Sequence, residues 1–359
     1  MGDRPTTLPG RIPGKGDRPT TLPGRIPGKG DRPGNRPGIG DRPGDRPSNR
    51  PGRPGYRPGG DNINIGDINI GNTVINNRPS WVNIDRNQVN NIYNRWGNQI
   101  GGLHNWSNRY PGRVNHWQSW GNDVRHRYHG YGDCFGPSWW NRHPHGLGGW
   151  HYGYRFSSYP SSYWWTVPTF AACTSFFSWS APATVWAQPI YYDYGQGGNV
   201  VYENNVVYIN GQQVASADEF AESAAALATV PPPPSQTEAE ETEWMPLGTF
   251  AVAKDPDDVD PINVIQLAVS QQGIISGTMY NTTTDQAYTV QGQVDRETQR
   301  VAFRIGESES IVLESGLYNL TQDEAPLLVH YGTDQVENWL LVRLEDDDDE
   351  EASLPDPFQ

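Results

Sequence analysis

Cysteine is nearly absent, with only Cys134 and Cys173 in 359 residues. That count excludes a disulfide framework, and no CxxC pair or Cys/His spacing of the zinc type occurs. One bridge between the two, or two free thiols, are both open readings. Glutamate is missing from residues 1–190, and cations are scarce beyond them. Residues 1–190 carry 22 Lys and Arg against 10 Asp, a net charge of +12, whereas 191–359 carry 5 against 31, a net charge of -26. The formal charge of -14 for the whole chain therefore describes neither half. Charge of either sign is missing over the 37 residues from Phe156 to Tyr192, a run long enough for a membrane helix. Pro160, Pro168, Pro182 and Pro189 interrupt it, so no transmembrane span is expected, and the run is read as an aromatic loop or docked strand.

Catalytic and metal signatures are missing too. There is no GxSxG, HExxH or paired Cys/His arrangement, and Gly306-Glu307-Ser308-Glu309 lacks the second glycine of a nucleophile elbow. The acidic stretch Asp255, Asp257, Asp258, Asp260 has Asp260 where an EF-hand loop needs Gly and Gln266 where it needs Glu, so it reads as an acidic turn. No glycine-rich phosphate loop follows a strand. Seven of the eight His lie between 104 and 151. Of these His126, His129, His143, His145 and His151 are the candidates for a divalent metal, but their neighbours are Arg, Trp and Tyr, which favours a low-complexity aromatic tract. The expectation is a protein that is not an enzyme and holds no cofactor or metal.

What is present is a modular chain. Gly and Pro number 40 and 31, the apolar share is 35% and mean hydropathy is -0.73, too punctuated for one core over the whole length. GDRPTTLPGRIPGK at 2–15 recurs unchanged at 16–29 and decays into DRPG-type units, giving 1–60 as a disordered Arg/Pro/Gly tether. The chain enters this repeat at Gly2 without an apolar leader, so a start further upstream is expected for an exported protein. NINIG and DINIG within 61–78 read as short Asn/Ile strands. Across 84–128, Val89, Ile92, Tyr93, Trp96, Ile100, Leu103 and Trp106, then Val114, Trp117, Trp120, Val124 and Tyr128, fall at helical spacing around Pro111-Gly112. That pattern predicts an Asn-rich, aromatic helix pair. Residues 129–190 form a low-complexity tract rich in Trp, Tyr, His and Gly. Its Trp139, Trp140, Trp150, Trp164 and Trp165 are candidates for stacking on a ligand.

Order returns in 191–229, with strands near 199–203, 206–209 and 212–215 joined by Asn204-Asn205 and Asn210-Gly211 turns. A helix follows, opened by a capping box from Ser216 to Glu219. A Pro and acidic linker spans 230–243. Residues 244–344 hold about eight short alternating runs at close spacing, with no room for crossover helices. Alternation is clearest at Tyr288/Val290/Gly292/Val294 and Val301/Phe303/Ile305, which are expected to form the core. An acidic, disordered tail occupies 345–359. The fold class expected is thus mainly β with a disordered N-terminus. Its C-terminal antiparallel β-meander closes into a small barrel or sandwich, preceded by a short β-meander plus helix and by the Trp/Asn-rich helix pair.

Gln188-Pro189-Ile190-Tyr191-Tyr192-Asp193-Tyr194-Gly195, the Val-Tyr and Ile-Asn-Gly strands and the Ala-Asp-Glu-Phe-Ala helix stand before a Pro linker. A terminal β-domain follows, with Gly316-Leu317-Tyr318-Asn319-Leu320-Thr321 and Leu340-Leu341-Val342-Arg343-Leu344. Over about residues 80–345 this chain resembles planctomycete cell-surface proteins that carry a mu-protocadherin-like label. Cadherin calcium motifs are absent, so the label implies no cadherin fold. The resemblance implies an exported, envelope-associated protein.

Charge and composition are read as a non-enzymatic cell-envelope or surface protein of structural or adhesive role, with a cytoplasmic location as the alternative. Its basic tether would engage an anionic wall polymer, or the acidic half of another copy through self-association. Polysaccharide binding through the Trp-rich tract is one alternative. Nucleic-acid binding by the Arg/aromatic half is another, disfavoured because no recognisable module is present and the acidic half competes for the same cations.

Overall fold

A computed structural model describes residues 86–128, 131, 134–143, 161–180, 182–230, 235–306, 308, 310–333 and 335–345. The repeat tether, the Asn/Ile strands and the acidic tail beyond Glu345 lie outside the described residues.

Two-residue turns organise the first sheet. Strands β1 (Val200–Glu203), β2 (Val206–Ile209) and β3 (Gln212–Ser216) form an antiparallel meander. Asn204, Asn205, Asn210 and Gly211 all have positive φ, the conformation that matches hairpin turns to strand twist and that Asn and Gly tolerate best. Helix α8 (Ala217–Leu227) follows, with the full capping box between Ser216 and Glu219. Its buried face, Phe220, Ala221, Ala224 and Leu227, lies against the outer side of the large sheet.

That sheet is an eight-stranded, closed antiparallel barrel. Its strands are β4 (Trp244–Ala253), β5 (Asn263–Ser270), β6 (Ile274–Asn281), β7 (Gln286–Val294), β8 (Arg300–Ile305), β9 (Ile311–Gly316), β10 (Glu324–Tyr331) and β11 (Gln335–Arg343). Each pairs with its neighbour in sequence, and β11 closes on β4 through Leu341 opposite Val252 and Arg343 opposite Phe250. A barrel of this size has an interior that side chains can fill. Here Phe250, Val252, Ile265, Leu267, Val290, Phe303, Leu313, Leu327 and Leu341 share one buried cluster inside it. Val290, Val294, Val301 and Phe303 lie in this core as expected, with Ile305 at its margin. Tyr288 is the exception at 39% exposure, because it sits two residues nearer the end of the strand than Val290 and overhangs the rim.

The outer face is covered as well, which is why every residue of β5 is buried. Helix α1 (Arg86–Gly97) and α8 cover β8–β10. The expected first helix is broken: α2 (Ile100–Leu103) and α3 (Trp106–Arg109) follow as single turns, with Asn105 left-handed between them. Gly97, Gly101 and Gly102 weaken this stretch. Helix α4 (Pro111–Arg127) starts with Pro at its first turn and presents Trp117, Trp120 and Val124 to the outer face of β4 and β11, with α5 (Pro137–Arg142) on the same cluster.

The described residues of the uncharged run form neither a named strand nor one helix. Ser161–Trp165 is a 3-10 turn, and α6 (Phe170–Phe176) and α7 (Ala183–Trp186) are short helices. Proline spacing limits each to a turn or two. Thr169 caps α6 by accepting from the Ala172 amide. The acidic stretch after the Pro run is likewise helical, as α9 (Gln236–Glu241) capped by Ser235. Among the described residues no helix is long and apolar enough to cross a membrane.

Candidate functional site

The tryptophans proposed to stack on a ligand occupy different places. Trp139 and Trp164 are each 1% exposed and offer no ring face to solvent, so for these two the expectation is corrected. Trp139 stacks on His143 at 4.2 Å and meets Tyr280 edge-on at 5.0 Å. Trp164 packs with Trp244, Ala268 and Ile274. Trp140 and Trp165 are half-buried against the same outer clusters, and Trp150 lies outside the described residues. The physical reason is the barrel's outer wall, where Ala251, Ala253 and Ala268 leave shallow apolar ground that only large rings can fill.

The histidines are similarly occupied. His143 bonds Asp285 at 2.7 Å through Nε2 and the Trp139 carbonyl at 2.9 Å through Nδ1, and His126 bonds the Asn122 carbonyl. His129, His145 and His151 are outside the described residues. Among those described, no group of three or more His, Cys, Asp or Glu side chains is arranged for a metal. Cys134 and Cys173 are both buried, in separate clusters, and do not bridge one another. Burial pushes the Cys173 thiol up to about 12, far from a reactive thiolate.

Gln188–Gly195, the motif that carries the resemblance, is a structural junction. The Ile190 amide donates to Gln299 Oε1 at 3.0 Å, and Tyr192 exchanges two bonds with the Asn319 side chain at 2.9 and 2.8 Å. The Tyr192 hydroxyl donates to the Thr298 carbonyl at 2.6 Å. Asp193, fully buried, receives Arg113 in a two-pronged pair at 2.8 and 2.9 Å together with the indole N–H groups of Trp117 at 2.9 Å and Trp106 at 3.3 Å. A buried carboxylate requires such a donor set. Asp193 is the first charge after the 37 uncharged residues, apart from which sequence carries no sign of its role.

A second charged group was invisible in sequence. Arg300, Glu314 and His330, one each from β8, β9 and β10, point outward from the barrel yet are fully buried. Arg300 donates to Glu314 at 2.5 Å and to Ser223 Oγ at 2.9 Å, and its guanidinium lies over the rings of Trp96 and Phe220 at 4.9 and 4.5 Å. His330 Nε2 is 3.0 Å from the same Glu314 oxygen. Burial raises the Glu314 carboxyl, but Arg300 and His330 more than offset it and hold the group below its ordinary value. Burial also pushes the phenols of Tyr192, Tyr194 and Tyr202 well up. This is an enclosed ion group under α8, its three side chains fully buried.

The barrel's ends differ. Alternation of strand direction sends the β5–β6, β7–β8 and β9–β10 connections to one end. There the segment 166–187 seals the interior: Cys173 is buried within the barrel cluster, and Phe170, Phe177, Trp179 and Trp186 pack beside it. The Ser178 amide donates to the Gln271 carbonyl and Trp186 Nε1 to the Arg296 carbonyl. Arg343 also lies near this end, donating to the carbonyls of Leu247, Leu320 and Gln322, and burial lowers it to about 10. Its guanidinium needs Gly248, a positive-φ residue at a β4 bulge where a Cβ would collide with it.

At the other end the inner wall finishes in Met279, Tyr288, Ile305, Ile311, Tyr331 and Trp339, of which Trp339 keeps 8% exposure and the others more. Glu337 faces inward among them, opposite Val329 in the β10–β11 register. It accepts from Tyr331 at 3.0 Å, Trp339 Nε1 at 2.9 Å and Gln335 at 3.1 Å. Burial, then the bond to Glu337, pushes the Tyr331 phenol up to about 12. Lys254, at the end of β4, holds its ammonium 5.2 Å from the centre of the Trp339 ring.

Burial withdraws charge of both signs from the acidic half, the acids being Asp193, Asp295, Glu314 and Glu324. Of its 5 cations, Arg300, Arg304 and Arg343 are buried, leaving Lys254 and Arg296 exposed. Both exposed cations lie over Trp rings, Arg296 at 4.5 Å from Trp179. The acids, by contrast, are largely outside, among them Glu203, Asp218, Asp255, Asp257, Asp260, Asp285 and Asp323.

No protein-family model, no curated protein and no solved structure matches this chain.

Proposed function

We propose that this chain is a non-enzymatic protein of the cell envelope or surface with a structural or adhesive role. Its basic N-terminal half engages an anionic wall polymer or the acidic half of another copy. The observation that carries the reading is the charge partition. A +12 half precedes a -26 half, and because burial takes Asp193, Asp295, Glu314 and Glu324 out of view along with Arg300, Arg304 and Arg343, the second half keeps an acidic surface with Lys254 and Arg296 as its exposed cations. Surface charge of one sign draws in partners of the other and keeps like copies apart. The envelope setting rests on the resemblance of the Gln188–Gly195 motif and the terminal β-domain.

The test is fractionation. The protein should be released from envelope fractions by raised salt, since attraction between exposed charges is screened within about 10 Å at 0.1 M salt. Recovery wholly in the cytosol would overturn the reading.

A further inference from the structure

We propose that the end of the barrel opposite 166–187 is a binding site for a cationic side chain, arginine or lysine, of a basic peptide segment. This inference rests on the charge reading above and names where the acidic half receives its partner. The plugged end cannot serve, because 166–187 fills it. The other end combines three features. Aromatic rings stand on opposite walls, with Tyr288 on β7 and Tyr331 and Trp339 on β10 and β11. A carboxylate, Glu337, faces inward between the last two and fixes both through their hydrogen-bond donors. Around the rim, the β4–β5 and β6–β7 connections carry exposed Asp255, Asp257, Asp260 and Asp285.

Aromatic faces beside a carboxylate attract cations, because ring quadrupole and negative charge act in the same direction. The acidic rim excludes an anionic ligand and complements a basic one. Lys254 supplies an internal precedent, since the chain's own ammonium already rests on the Trp339 ring. It occupies part of the site that an incoming cation would use. A neutral sugar could stack on the same rings, but it would gain nothing from the rim carboxylates or from Glu337 as a charge.

The experiment titrates the full chain at low salt with a synthetic Arg-Pro-Gly repeat peptide and with its Gln-Pro-Gly counterpart. Only the arginine peptide should bind. Tyr288→Ala, at an exposed position that should not disturb folding, and Glu337→Gln should each weaken it about fivefold or more. Glu203→Gln, an equal charge change on β1, should leave it unaltered. Lys254→Ala should tighten binding about threefold by vacating the Trp339 face, an effect that loss of a structural contact would not produce. Equal, small losses in Glu337→Gln and Glu203→Gln, with Tyr288→Ala unchanged, would overturn this end of the barrel as the site. They would leave general attraction between basic and acidic halves intact. Absence of any arginine-peptide binding would overturn both the site and self-association between halves. Binding of a neutral oligosaccharide that Tyr288→Ala abolishes and the arginine peptide does not displace would also overturn it.

Discussion

Inside the barrel Phe250, Val290, Phe303, Leu327 and Leu341 pack in one apolar cluster, with the Arg343 guanidinium over the Phe250 ring at its edge. On its outer face over β8–β10, Ala302, Val312 and Leu328 share the ground with Arg300, Glu314 and His330, and all six are buried. The two faces of one sheet are therefore held by different physics. The inner face depends on packed volume, and a smaller apolar side chain costs what the cavity costs. The outer face depends on completing a set of charges and donors, and removal of one member strands the others out of water.

Mutations separate these contributions, and the largest effects come first. Arg300→Ala should destabilise the full chain by about 3–5 kcal/mol in denaturant unfolding, because Glu314 is left buried without its cation. Phe303→Ala in the interior should cost a similar amount, about 3–5 kcal/mol. Rescue distinguishes them: replacing Arg300, Glu314 and His330 together by Met, Leu and Leu should restore stability to wild type or above. Failure of the triple replacement to recover would mean that the outer face depends on more than charge pairing.

Asp193→Ala should cost about 2–4 kcal/mol, since Arg113 and two indole N–H groups lose a charged acceptor. Hydrogen exchange should show the loss concentrated in α3 and α4 around Trp106 and Trp117. Uniform acceleration across the barrel would instead make Asp193 part of the barrel's own stability.

Acid gives a third comparison. The folded Glu314 carboxyl lies below its ordinary value of 4.5, so its contribution is fully present above 4.5 and is lost as pH falls through the lower, folded value. Asp295 has the opposite sign: burial raises it, and protonation relieves that cost as pH falls. Urea unfolding as a function of pH should show an acid loss of stability that the triple replacement removes. An unchanged acid limb would show that Glu314 does not govern it. The smallest effect is at a helix end, where Ser216→Ala should cost about 1 kcal/mol by opening the capping box.

The eight strands were legible because turn residues and alternation are local. Asp255–Asp260, Gln272-Gly273 and Asp295–Thr298 all fall between strands where expected. The two hairpins and the capping box were legible for the same reason. Closure was expected as a barrel or a sandwich, and the choice of a barrel rests on pairing of β11 with β4, which joins residues some ninety apart and leaves no local mark. Tyr288 was misplaced because alternation names the face a side chain is on and not how near the rim it stands. The stacking role expected of Trp139 and Trp164 failed similarly. Aromatic density reads alike whether the rings face solvent or cover the alanines of a barrel wall.

What the sequence determined alone is the order of modules, strand count, turn chemistry and division of charge, each written in neighbouring residues or in composition. Only the tertiary structure decided which charges water would see. Arg300 and Arg343 end buried, while Lys254 and Arg296 stay outside on tryptophan rings, because burial depends on which distant segment arrives above a residue. The same cause plugged one end of the barrel with an uncharged run and left the other to Tyr288, Glu337 and Trp339.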